Sequence, residues 1–192
     1  MERHFGDLAE NLYEVCCLLI SLAGLAIRCV TVGFAPSGTS GRNTGGLKAA
    51  RLNTTGMYSI VRHPLYLGNA VILAGVLLFV QVWWFALVGA LLALLHYERI
   101  IFAEEEFLKR RFGESYERWA RETHAIIPDF KKWKPPQRPF SFRRVLRKEH
   151  TSASIVLLGF GFLDLVADIL LRTNPHLTWD GLSSELQRSF SM

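Results

Sequence analysis

"LYLGNAVILAGVLLFVQVWWFALVGALLALL", Leu65 to Leu95, runs for 31 residues without a charge. One membrane-spanning helix needs about 20 apolar residues, so the run is too long for one ordinary span and short for two. Gln81 interrupts it near the middle, followed by Trp83 and Trp84, and tryptophans concentrate at membrane interfaces. The run therefore predicts a tight hairpin of two short helices turning near Gln81. A hairpin returns both its ends to one side. Arg62 and His63, just before it, and the acids from Glu98 to Glu106, just after it, then meet the same membrane face.

The rest of the chain extends this reading. Val15 to Phe34 is apolar except for Ser21, Arg28 and Thr31, and is long enough to cross a bilayer. Ile155 to Leu171 is a fourth candidate, interrupted by Asp164 and Asp168. Half of the 192 residues are hydrophobic, and mean hydropathy is +0.20. The expected fold is an all-α polytopic membrane bundle of about four spans, including the hairpin, with a helical cap on the cytoplasmic side. The alternative is a soluble bundle of buried helices, which spans of this length disfavour. The first run does not read as a cleavable signal peptide, because it is long and preceded by Glu2, Asp7, Glu10 and Glu14 rather than by bases. Lys and Arg favour the cytoplasmic side. Arg42, Lys48, Arg51 and Arg62 fill the first loop, and fourteen more lie between Glu98 and His150. Both segments should face the cytoplasm, and both termini the other side. Cys16, Cys17 and Cys29 all fall in the first helix and read as small packing residues.

Pro36 to Thr55, "PSGTSGRNTGGLKAARLNTT", is rich in Gly, Ser, Thr and Asn. Such a loop can turn backbone N–H groups inward as an anion nest completed by Arg42, or serve only as a linker. Beyond Leu95 the helix should continue into water. Ile101, Glu105, Leu108 and Phe112 fall on one helical face, so Glu105 interrupts an apolar stripe while Glu104 and Glu106 flank it by about 100°. Gly113 should end that helix, and Ser115 to Thr123 reads as a short amphipathic helix carrying Tyr116 and Trp119. "KKWKPPQRPFSFRRVLRKEH", Lys131 to His150, mixes bases with aromatics. Set between membrane segments, it points to anionic lipid headgroups rather than to nucleic acid.

Two charged groups thus share one membrane face: Arg62–His63 and Glu104–Glu105. A cationic and a carboxylate site side by side suit a zwitterion such as an amino-acid moiety. The plainer readings are that Arg62 snorkels to the headgroups and that the acids pair with Lys109 and Arg110 at helical spacing. The second explains Glu106 better than Glu105. Asp164 and Asp168 inside a span call for a partner, and Arg28 is a candidate for Asp164. No P-loop, dinucleotide fingerprint, serine elbow or metal-ligand spacing occurs.

"GMYSIVRHPLYLG", Gly56 to Gly68, resembles the G-x-Y-x-x-x-R-H-P-x-Y-x-G signature of membrane methyltransferases, among them the isoprenylcysteine carboxyl and phospholipid N-methyltransferases. "EEEFLKRRFGESYERW" resembles their second signature, E-E-x-x-L-x-x-x-F-G-x-x-Y-x-x-Y, through Glu104, Glu105, Leu108, Phe112, Gly113 and Tyr116; Trp119 replaces the last tyrosine, and Pro128 matches a following proline. The resemblance implies a methyltransferase core over 56–128 within a single membrane domain, followed by a basic juxtamembrane segment (129–150) and a further membrane helix (151–172). It implies S-adenosylmethionine as cofactor, held by His63, Tyr66, Glu104 and Glu105, with Gly68 permitting close approach, and no metal. Arg62 and Glu105 would be the catalytic pair. Arg99, five residues before Glu104, would bind substrate, as would Arg42 on the nest reading of its loop. The acceptor would be a lipid or lipidated substrate carrying a carboxylate, amine or phosphate. The competing readings are an NADPH-dependent membrane reductase resembling sterol reductases, and a non-catalytic lipid-binding protein.

Overall fold

The computed structural model describes residues 2–36 and 49–173, with side chains for 11–36, 49–166 and 169. Every regular element among them is helical: α1 Glu2–Phe34, α2 Met57–Ile60, α3 Pro64–Phe79, α4 Trp83–Phe112, α5 Glu114–Glu122, a 3-10 turn Phe130–Lys132, and α6 Phe142–Thr173. The punctuation follows backbone chemistry. Pro64 opens α3 at a position whose missing N–H costs nothing. Gln81, at φ 56°, turns the chain between α3 and α4. Gly113, at φ 53°, ends α4 and starts α5 in a left-handed conformation that glycine adopts without strain.

The hairpin α3–α4 is present, but its arms are unequal. α4 continues 30 residues, to Phe112, and carries the paired acids well beyond the apolar run. α1 lies antiparallel along α3. Cys17, Ser21, Gly24 and Arg28 form one stripe on α1, facing Gly68, Ile72 and Gly75. A Cβ on Gly24 would sit 2.6 Å from the Gly68 carbonyl oxygen, and one on Gly75 2.5 Å from that of Cys17. The Ser21 hydroxyl donates to the Ile72 carbonyl at 2.8 Å. Helices in lipid gain nothing from burying apolar surface against each other, so close backbone approach and such hydrogen bonds hold the pair.

α6 runs antiparallel to α1. Its start is fixed by the Ser141 N–H bonding the Gly33 carbonyl at 3.0 Å, and its middle by Val156 and Phe160 packing on Cys17 and Phe79. Between them Arg28 bonds Glu149 in a bidentate pair at 2.8 and 3.0 Å, with both side chains buried, and also donates to Asn69 on α3. The expected partner Asp164 is not the one used. It lies 15 residues, about 22 Å, further along α6, and is exposed.

Among the described residues three helical stretches are long and apolar enough to cross a membrane: Asn11–Phe34, Trp83–Phe112 and Phe142–Val166. Of the four expected, the first arm of the hairpin, α3, has only 16 residues, about 24 Å against a hydrocarbon core of about 30 Å. The last span begins at Phe142, inside the basic segment expected to precede it.

Candidate functional site

Pro64 and the sharp turn before it set Arg62 and His63 at the mouth of the hairpin, and α4 delivers Glu104 and Glu105 opposite them. Arg62 Nε and Nη2 both lie 3.0 Å from Glu105 Oε1. His63 Nε2 is 2.9 Å from the same oxygen, and its Nδ1 is 3.7 Å from Glu104 Oε2. Tyr66, one turn into α3, donates to Glu104 Oε2 at 3.0 Å. Five of the residues expected at the site, Arg62, His63, Tyr66, Glu104 and Glu105, therefore form one network.

The cationic and anionic groups expected side by side pair with each other. Arg62 commits four of its five N–H groups: two to Glu105, and Nη1 to the carbonyls of Ala120 and Thr123 at 2.6 and 3.0 Å. Those carbonyls close the C-terminal turn of α5, where a cation is favoured. Arg62 thus ties α5 to the hairpin and aims Glu105.

His63 is 5% exposed. Burial pushes its imidazolium down, but hydrogen bonds and charge from Glu104 and Glu105 outweigh it and hold the group above its ordinary value. Glu104 is the more buried acid, its side chain 13% exposed against 28% for Glu105; both face the network, whereas Glu106 turns out to Arg110 at 3.5 Å.

A cavity of about 480 Å³ opens beside this network between α3 and α4. Tyr66, Tyr97, Glu98, Ile101 and Ile126 line its polar end, and alanines and leucines reaching Leu77 line its apolar end. The rings of His63, Tyr66 and Tyr97 follow one another at centroid spacings of 5.6 and 5.7 Å. The tyrosine faces and the Glu98 carboxylate in this lining attract a cationic centre, so these residues fit a sulfonium cofactor. Tyr97 was not anticipated, although it extends the Ile101–Glu105–Leu108 stripe one turn back. The Tyr116 hydroxyl is buried beside Glu105, and burial together with that carboxylate raises its pKa.

The remaining expected residues lie elsewhere. The close approach Gly68 permits is to α1: a Cβ there would meet Arg28 Cγ at 2.6 Å and the Gly24 carbonyl at 2.9 Å. Arg99 is exposed on α4, outside the network and the cavity lining. Arg42 and its glycine-rich loop lie outside the described residues.

A model of the phospholipid methyltransferase family matches residues 15–115, which include the C-terminal part of α1, the hairpin and both charged groups. The chain is also 39% identical over 83 residues to the nickel-cobalt-cadmium resistance protein NccN of Alcaligenes xylosoxydans xylosoxydans, a match covering 43% of this chain and 38% of that protein. No solved structure matches significantly. The chain belongs to the phospholipid methyltransferase family.

Proposed function

We propose that this member of the phospholipid methyltransferase family transfers a methyl group from S-adenosylmethionine to the headgroup of a membrane lipid or lipidated substrate. One observation carries the reading. Within the family-matched span, Arg62, His63, Glu104 and Glu105 form one network with Tyr66, and Tyr66 also lines a cavity whose other residues are mostly apolar. Bound at His63, Tyr66, Tyr97 and Glu104, the cofactor would supply an electrophilic methyl on a cationic sulfur.

The chain's own part is binding and positioning. Tyr66 and Tyr97 present ring faces to a cation. Glu104 and Glu105 supply negative charge, and Arg62 fixes the orientation of Glu105. The Ala70–Leu77 side of the cavity takes the apolar part of a lipid and keeps water from the reacting end. Holding donor and acceptor in line is worth about 7–11 kcal/mol of the barrier. A carboxylate or phosphate acceptor needs no base; an amine acceptor must lose a proton, and Glu98, which lines the cavity, is a carboxylate available for that work.

The same reading has four membrane crossings, with α3 as a short one, both termini on the non-cytoplasmic side and the site open to the cytoplasm. The distribution of Lys and Arg supports that orientation. The family match favours methyl transfer over the reductase alternative. Calorimetry in detergent tests the proposal: S-adenosylmethionine should bind and NADPH should not. Binding of NADPH alone would turn the reading to a reductase, and binding of neither to a lipid-binding protein.

A further inference from the structure

The segment from Thr123 to Lys134 lies mostly beyond the family-matched residues and the second signature, yet its backbone holds the Arg62–His63 turn. The Arg62 N–H donates to the His124 carbonyl at 2.8 Å and the His63 N–H to that of Ala125 at 3.1 Å. The Asp129 N–H donates to the Ile60 carbonyl at 2.9 Å, and Gly56 to Lys134 at 2.9 Å. The Lys134 N–H returns a bond to the Ser59 hydroxyl at 2.9 Å. Ile126 of the same strap lines the cavity.

The outer face of the strap has a different character. Ile127 and Phe130 are each 73% exposed and Trp133 47%. The 3-10 turn Phe130–Lys132 brings positions i and i+3 onto one side, so Phe130 and Trp133 project together. Lys131, Lys132, Lys134 and Arg138 surround them, all exposed. From Thr123 to Lys148 the one acid is Asp129, spent on the Lys131 N–H at 3.2 Å and on Lys132 at 3.5 Å. Nine residues after Trp133 the chain enters α6, a candidate span. Aromatics among cations, on a short tether to a membrane helix, match headgroup-level rings and lipid phosphates; a protein or nucleic-acid partner would have to fit between this face and the bilayer.

We propose that the strap is an anionic-lipid sensor: its outer face docks on an anionic leaflet, and docking holds its inner hydrogen bonds to the Arg62–His63 turn. The coupling follows from linkage. A surface that binds the docked strap better than the released one favours the docked state by the ratio of the two affinities. The inference rests on the chain being embedded in a membrane and not on methyl transfer.

Hydrogen exchange tests it on the whole chain in nanodiscs without cofactor. Amides of Arg62, His63 and Asp129 should exchange about tenfold or more slowly when the discs contain phosphatidylglycerol than when they hold phosphatidylcholine alone. The Ile72 amide, in the α1–α3 interface, should exchange alike in both. Each lysine near an anionic surface contributes a factor of roughly five. Lys131→Gln, Lys132→Gln and Lys134→Gln together should therefore remove the difference, and raised salt should shrink it. Equal exchange in both discs overturns the proposal. So does protection that survives in the triple variant, or slowing that extends equally to Ile72. Because no cofactor is present, failure of the methyltransferase reading leaves the result intact.

Discussion

Glu105→Gln separates the network from a merely solvated acidic face. Glu105 Oε1 receives Arg62 Nε and Nη2 at 3.0 Å and His63 Nε2 at 2.9 Å. Hydrogen bonds to charged groups are worth about 1.5–3 kcal/mol each. The amide keeps an oxygen but loses the charge, and the Glu105 side chain is 28% exposed, so screening reduces the total to about 2 kcal/mol. That corresponds to roughly thirtyfold in the affinity of whatever requires the ordered turn. Calorimetric binding of S-adenosylmethionine should weaken by about that factor. Glu106→Gln removes an exposed i,i+4 pair with Arg110 worth about 0.3–0.5 kcal/mol, about twofold at most even if it were fully felt at the site. Equal losses in the two variants would refute the assignment. His63 supplies an independent reading. Its folded pKa is raised by the two carboxylates, so its contribution to stability is full below the unfolded value of about 6.5 and is lost as pH rises through the folded value. Melting of the wild type in detergent should decline across that window. In Glu105→Gln the decline should shrink and move toward lower pH; an unchanged profile would mean that Glu105 does not hold the His63 proton.

The remaining predictions concern the frame and the topology. Gly75→Ala brings a Cβ to 2.5 Å from the Cys17 carbonyl oxygen and 2.9 Å from the Ser21 nitrogen, and should cost about 1–3 kcal/mol, read as a lowered melting temperature in detergent. Glu149→Gln strips the charge partner from buried Arg28; it should cost about 3–5 kcal/mol, whereas Asp164→Asn, at an exposed position, should change melting little. In a background free of native cysteines, a cysteine replacing Ser189 should react with an impermeant reagent from outside the cell, and one replacing Ser141 should not; the reverse pattern would invert the orientation.

The sequence carried the hairpin and its consequence plainly, because an uncharged run of 31 residues has few ways to fold and returns its ends to one place. It also carried the turn of Glu105 toward the protein, through helical spacing from Ile101 to Phe112. Pairing was not legible. Arg62 and Glu105 are 43 positions apart, and residue types alone do not distinguish two ligand sites from one ion pair. The sequence offers Asp164 as a partner for Arg28, yet Arg28 pairs with Glu149. Only the register of α6 on α1 selects Glu149, and register depends on packing contacts as diffuse as Val156 against Cys17. Gly68 reads as a close approach, but its sequence does not say of what; here it is α1. The strap was hidden for another reason: it acts through backbone N–H and carbonyl groups, which every residue has and no motif records.

Transfer of labelled methyl from S-adenosylmethionine into a total lipid extract, by the purified protein in detergent, tests the central claim most directly. Mass identification of the product then names the acceptor. The account predicts label in a lipid or lipidated product, and about thirtyfold less of it with Glu105→Gln when cofactor is below saturation. No label in any lipid fraction, with binding of S-adenosylmethionine intact, would contradict it.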